Sequence, residues 1–408
     1  MIKKRNVCLK DDYHMTYASI DILQKALQKE YWGNSQDGKK AAGRALGTII
    51  EIITFYIIES WKLSQHLAIE KGIAEFGNAD ITHNVEYTLH PIYKIHKLKI
   101  PFDEKTLSAK KIMKLWFELP SLPDKISIAD YDIKNNTLLT KRNILRNACT
   151  LATKKDKTTQ LICTNIVVDY KNKMYIIQVS EQLMQPFALF ECKRVGVEEG
   201  TKKGPQTIEK AKQGAYVAKM VSALQKIRTA EGKIKGILFN GDDKPYVGDY
   251  ELMIKKILDS GDINSLKRFV LTIGVVSNHG NWFTREIQNK ELKVLAQSYD
   301  WLLFLTDSGL AKFIEELILK RNKAYPAIHD SFKASYGPDK ITNEFTKVQM
   351  NYNSHLQLIK YFKDNLKKVD SWFNIISPRE GSLKSLNKQL VMLSRKNWSV
   401  IHDCRKKH

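Results

Sequence analysis

The sequence predicts an α/β protein, one body with helical additions at both ends, on three observations. Hydrophobic residues make up 43% of 408 residues, enough apolar material for a sizeable core. Short β-branched runs alternate with helix-spaced apolar residues from position 161 onward. The two ends, from about 15 to 76 and from 340 to 408, carry mainly helical patterning.

Taken in order, the N-terminal part has a polar break at WGNSQDGKK and then a long amphipathic segment from Gly43 to Ile73. Its most apolar stretch, GTIIEIITFYIIESW from Gly47 to Trp61, is shorter than a membrane span and carries Glu51 and Glu59, so it reads as a buried helix. HNVEYTLHPIYKIHKLKI, residues 83 to 100, alternates and is rich in β-formers, which predicts a strand. Residues 101 to 160 are Lys-rich, with SLPDK as a turn signal, and read as an insertion able to touch DNA. LICTNIVVDY and MYIIQVS are β-branched runs joined by the turn KNK, and FALFECKRVGV follows Pro186, so a three-strand meander is expected. In TIEKAKQGAYVAKMVSALQKI, Ile208, Ala211, Ala215 and Ala218 fall on one helix face. KGILFNG, RFVLTIGVVSN and YDWLLFLTD read as strands, with helices near 284 to 298 and at SGLAKFIEELILKR. The division expected is 1–245 for a catalytic core and 246–408 for an α/β continuation with a helical end.

The chain has 66 Lys and Arg against 44 Asp and Glu, a formal charge of +22 spread along its whole length. A folded surface with that field seeks a polyanion, and 17 Tyr and 7 Trp with few long apolar runs favour nucleic acid over a membrane. Cys8, Cys149, Cys163, Cys192 and Cys404 are scattered without C-x-x-C spacing, which indicates neither a disulfide framework nor a zinc ribbon and suits a reducing, cytoplasmic compartment. The N-terminus shows no signal-peptide pattern. No Walker loop or G-x-G-x-x-G is present.

One constellation carries chemistry. Successive side chains on a strand point to opposite faces, so Glu191 and Lys193 share one face of FALFECKR while Cys192 takes the other. A carboxylate there is a hard ligand for a divalent cation, and an ammonium beside it orients a water or stabilises charge on a scissile phosphate. Spacing alone is cheap in this chain: Glu231-Gly232-Lys233, Glu291-Leu292-Lys293 and Asp132-Ile133-Lys134 repeat it. Context separates them, because only Glu191 and Lys193 end a strongly apolar strand before a basic loop and an amphipathic helix. An ordinary charged pair at a strand end is the alternative. A second metal-binding carboxylate is expected at Asp169, although an Asp beside the turn YKNK is also favoured there simply because it bonds nearby backbone; Glu181 and Asp124 are rivals. On the following helix Glu209, Gln213 and Tyr216 share a face, which reads either as a solvated face with Tyr216 half buried or as one turned to the metal or the phosphates, and the second reading makes Gln213 a candidate catalytic group. Lys202 and Lys203 in the glycine-containing loop, with Lys210 and Lys212 on the helix, are candidates for DNA phosphate contact.

An acid, then Glu-x-Lys at a strand end, then an amphipathic helix resembles the PD-(D/E)XK nuclease superfamily, with residues 161 to 240, and FECKR and QGAY in particular, carrying the resemblance. The resemblance implies a restriction-endonuclease-like mixed β-sheet flanked by helices, a Mg²⁺-bound acidic pair and a lysine near the attacking water. It matches Glu191 to the second acid, Lys193 to the lysine and Asp169 to the first acid, and Glu51 to the acidic residue that some members place on their first helix. No Pro-Asp dipeptide precedes the strand at the usual distance. The implied function is a Mg²⁺-dependent type II restriction endonuclease acting on double-stranded DNA, a homodimer by the symmetry of palindromic sites, with a cognate DNA methyltransferase in the same system. The rival from another class is a DNA- or RNA-binding protein without catalysis. His279, with Trp282, Phe283 and Arg285 beside it, is better read as a loop histidine among core aromatics than as a hydrolytic centre.

Overall fold

The structure is a computed structural model that describes residues 20–405, apart from 34, 73–83, 103–105, 119–125, 195–214, 240–243, 261–262, 267, 278–289 and 338–342. It is a mixed α/β protein whose strands fall into four sheets.

Helix α1 (Ile20–Trp32) packs along α2 (Gln36–Ser60). Helix α2 begins where the Ser35 side chain accepts the Gly38 amide at 3.0 Å, and it stops where Lys62 takes a left-handed backbone with φ 60°. Its run Ile52–Ile58 is buried on every side, each large aliphatic side chain contributing on the order of 1.5–3 kcal/mol. The helix is 25 residues long; it begins before the expected Gly43 and stops at Ser60 rather than Ile73, because Leu67–Gly72 becomes a strand, and by length and composition alone it passes for a membrane span. In the fold 72% of its most apolar window is buried, and it is the main core helix.

The central six-stranded sheet runs β1 (Leu67–Gly72), β2 (Asn84–Leu89), β11 (Ala188–Arg194), β15 (Leu271–Ser277), β16 (Trp301–Leu305), β18 (Phe373–Ser377). The β1–β2, β2–β11 and β16–β18 pairs are antiparallel, while β11–β15 and β15–β16 are parallel. Strands β11, β15 and β16 are covered on both faces, which is why their sequences read as unbroken apolar runs rather than alternating ones.

A second sheet runs β3 (Ile92–Pro101), β10 (Met174–Leu183), β9 (Thr159–Asp169), β8 (Cys149–Lys154), β5 (Tyr131–Ile133). Strands β4 (Leu107–Ser108), β6 (Thr137–Leu139) and β7 (Ile144–Arg146) join β17 (Gln349–Asn351) in a third sheet, and helix α3 (Ala109–Glu118) covers the second. A small antiparallel sheet of β12 (Leu224–Arg228), β13 (Ile234–Leu238) and β14 (Tyr246–Asp249) lies between β11 and β15 in the chain.

Five expectations change. The expected meander is divided: β9 and β10 form a hairpin in the second sheet, whereas β11 crosses to the central sheet beside β2. The single strand expected over 83 to 100 is two strands in two sheets, parted at His90-Pro91, where proline offers no amide to a ladder. The insertion therefore extends from Ile92 to Leu183, and its neck is closed by the Leu183 amide donating to Pro91 O at 2.9 Å. The expected boundary at 245 cuts the central sheet, since β15, β16 and β18 complete what β1, β2 and β11 begin. The helix after β11, described over 215–221, ends sooner than its pattern suggests because Leu224–Arg228 becomes β12.

Candidate active site

At the C-terminal end of β11 the sheet opens. The β2–β11 ladder reaches Phe190 opposite Tyr87, so the next residues, Glu191 and Glu86, stand side by side where the two strands part. The Cys192 amide there donates not to a backbone carbonyl but to the Glu86 carboxyl oxygen, at 3.1 Å. Alternation along β11 works as the sequence indicates. The Cys192 thiol turns to α2 and donates to Thr54 Oγ1 at 3.5 Å, while Glu191 and Lys193 meet on the other face, with Lys193 Nζ 2.6 Å from Glu191 Oε1 and 3.6 Å from Glu86 Oε1.

A third wall comes from sequence-distant segments. Lys347, just before β17, places Nζ 3.4 Å from Glu51 on α2, 3.4 Å from Glu70 on β1 and 4.0 Å from Glu86. Its backbone is fixed by the insertion: Asn147, following β7, donates Nδ2 to Lys347 O at 3.0 Å and its backbone amide to Val348 O at 2.9 Å. The cluster thus holds four carboxyl groups and two ammonium groups, with Glu191 only 1% exposed and Glu86 7% exposed.

Its electrostatics follow from burial. Desolvation, and then the adjacent Glu191 carboxylate, push the Glu86 carboxyl up to about 8, which favours its protonated form near neutral pH. Burial also raises Glu51, against the opposing pull of Lys347. Burial disfavours charge on Lys193 and Lys347, but the surrounding carboxylates more than offset it and hold both ammonium groups above their ordinary value. Tyr299 closes the cluster on the β15 side. Its ring lies over Gly274, the residue paired with Glu191, where a Cβ would come within 2.8 Å of the ring.

Among the described residues no three His, Cys, Asp or Glu side chains converge as a metal cage. Two carboxyls do converge, Glu86 and Glu191, in a cluster where four carboxyls face two ammonium groups. That donor set suits Mg²⁺, which is commonly held by one or two carboxylates with water and substrate phosphate completing its octahedron.

The predicted first acid is corrected. Asp169 ends β9 on the second sheet, and its carboxylate caps the turn before β10, accepting from Asn172 N at 3.0 Å and Asn172 Nδ2 at 2.7 Å, bonds that hold it below the usual carboxylate range. The turn role alone accounts for it, and Glu86 takes the place beside Glu191. Glu181 is engaged elsewhere, accepting from Tyr131 Oη at 3.0 Å with His96 at 3.4 Å. Glu51 does reach the cluster. Gln213, Lys202, Lys203, Lys210 and Lys212 lie outside the described residues, as do Asp124, Glu209 and His279; Tyr216 is 58% exposed. Sequence reasoning missed Glu86, Glu70 and Lys347. The signal for Glu86 was a lone acid in VEYTL, a strand whose other residues are buried.

No protein-family model, curated protein or solved structure matches this chain.

Proposed function

We propose that the protein is a Mg²⁺-dependent endonuclease of the restriction-endonuclease-like class that hydrolyses phosphodiester bonds of double-stranded DNA. The observation that carries this reading is the meeting of Glu86, Glu191 and Lys193 at a sheet opening. The central sheet is in keeping with it, since antiparallel β1, β2 and β11 followed by β15 parallel to β11 make a mixed sheet, packed by helix α2, of the general kind the resemblance implies, with the insertion set between β2 and β11.

In this reading Glu86 and Glu191 would hold Mg²⁺, which would supply Lewis-acid polarisation of a phosphoryl oxygen and make a nearby water more acidic. Glu86 would serve as a ligand in its ionised form, its proton released to solvent. Lys193, kept cationic by both acids, orients the attacking water and offsets the negative charge that builds on the phosphoryl oxygens. The water oxygen forms its bond to phosphorus in line as the bond to the leaving sugar oxygen breaks; the proton that the water loses passes to solvent, and the leaving oxygen takes one up from solvent. Lys347 holds Glu51, Glu70 and Glu86 in place from behind. A type II restriction enzyme, cytoplasmic, pairing as a homodimer across a palindromic site and accompanied by a cognate methyltransferase, is the particular form of this proposal.

The test is cleavage of plasmid and bacteriophage DNA in Mg²⁺. Glu86→Gln, Glu191→Gln and Lys193→Ala are each expected to lower the rate by about 100-fold or more, while Asp169→Asn leaves it unchanged. Duplex binding without cleavage by the parent chain would favour the non-catalytic binding protein instead, and cleavage by Glu191→Gln at the parental rate would sink the site.

A further inference from the structure

A cleft of about 720 Å³ begins at the cluster and runs across the insertion. Glu70 and Val348, the neighbour of Lys347, form its inner end; Lys71, Lys134, Arg146, Lys154, Lys155 and Lys157 line the rest, against the carboxylates of Glu70 and Asp132. The cations come from separate elements, namely β1, the residue after β5, the end of β7, the end of β8 and the β8–β9 turn, so the fold rather than a charge run in the sequence assembles them. Lys154 is 3.5 Å from Asp156, which leaves the balance of the wall positive. No aromatic ring is among the described residues lining the cleft, so it offers phosphate oxygens many partners and offers bases no aromatic platform.

We infer that this cleft grips the sugar-phosphate backbone of double-stranded DNA without reading its sequence, and that the insertion Ile92–Leu183 serves to deliver that backbone to the cluster at Glu70. The grip itself stands on the cleft alone; only the delivery rests on the nuclease reading. Base recognition, where it occurs, lies on another surface.

The test uses fluorescence anisotropy of labelled duplexes of unrelated sequence, in EDTA, over a range of salt. In Lys134→Ala/Lys155→Ala/Lys157→Ala, whose three side chains are exposed, the slope of log affinity against log salt is expected to become shallower by about three, equally for every duplex. Lys384→Ala/Lys388→Ala, exposed on the helix Leu383–Ser394, is expected to leave the slope unchanged. A triple variant with the parental slope, equal losses in both variants, or displacement of the duplex by poly-glutamate at matched charge would each overturn the inference. The two readings fail separately: cleft-dependent binding in a chain that never cuts with Mg²⁺ retires the nuclease and keeps the cleft, whereas cutting that ignores the triple substitution does the reverse.

Discussion

At the scale of single residues, the cluster is a balance in which each ammonium is justified by more than one acid. Lys347 is the clearest case, because its side chain is almost wholly buried and faces Glu51, Glu70 and Glu86 together. Removing it leaves acids of one sign facing one another in a partly desolvated space. Lys347→Met should therefore destabilise the protein by roughly 3 kcal/mol, the scale of a buried pair that loses one partner. Adding Glu51→Gln should recover part of that loss, since one of the stranded charges goes with it. Urea unfolding of the two single variants and the double variant measures the coupling; additive losses would show that Lys347 and Glu51 do not compensate each other. These residues also show what a sequence can disclose. Glu191 and Lys193 were legible because alternation along one strand is a local rule. Glu86, 105 positions before Glu191, and Lys347, 156 positions after it, were not, since only pairing between distant strands brings them there.

At the scale of elements, β1, β2 and the neck of the insertion are locked by two neutral imidazoles. His66 Nδ1 donates to His90 O at 2.8 Å, and His90 Nδ1 donates to Leu183 O at 2.9 Å while its Nε2 accepts from Thr88 Oγ1 at 2.7 Å. Burial lowers His66 to about 4 and His90 to about 3 from an ordinary 6.5. A histidine depressed in the folded state contributes stability that is complete above its unfolded value and is lost as pH falls through the folded one. The protein should thus lose stability relative to His90→Gln as pH drops from about 6.5 toward 3, by on the order of 1.4 kcal/mol per pH unit across that window. Chemical denaturation of both proteins at pH 7.5, 5.5 and 4.5 checks this, and a constant difference would mean that His90 is not buried neutral. Strand and helix types were mostly legible from runs such as VLTIGVVS and IIEIITFYII. The sheet each strand joins was not, because β10 and β11 carry similar apolar patterns and only the break at Met184–Pro186 separates their destinations.

At the scale of the whole molecule, the insertion behaves as a unit that the core borrows. Among the described residues its hydrophobic cluster, from Leu98 to Val179, takes only Tyr352 from elsewhere, and its entry and exit are hydrogen-bonded to each other at Pro91 and Leu183. The core, by contrast, draws β1, β2 and β11 from one half of the chain and β15, β16 and β18 from the other, so a division at 245 leaves Leu271–Ser277 missing beside β11 and its row of backbone groups unpaired. A fragment of residues 91–184 should accordingly fold alone and unfold cooperatively, somewhat less stable than in the intact chain for want of Tyr352 and of β17 beside β7. A fragment of residues 1–245 should aggregate. Dispersed amide resonances and a single denaturation transition from the short piece, together with insolubility of the long one, are the expected results; an unfolded short piece would show that the core and the insertion fold only together.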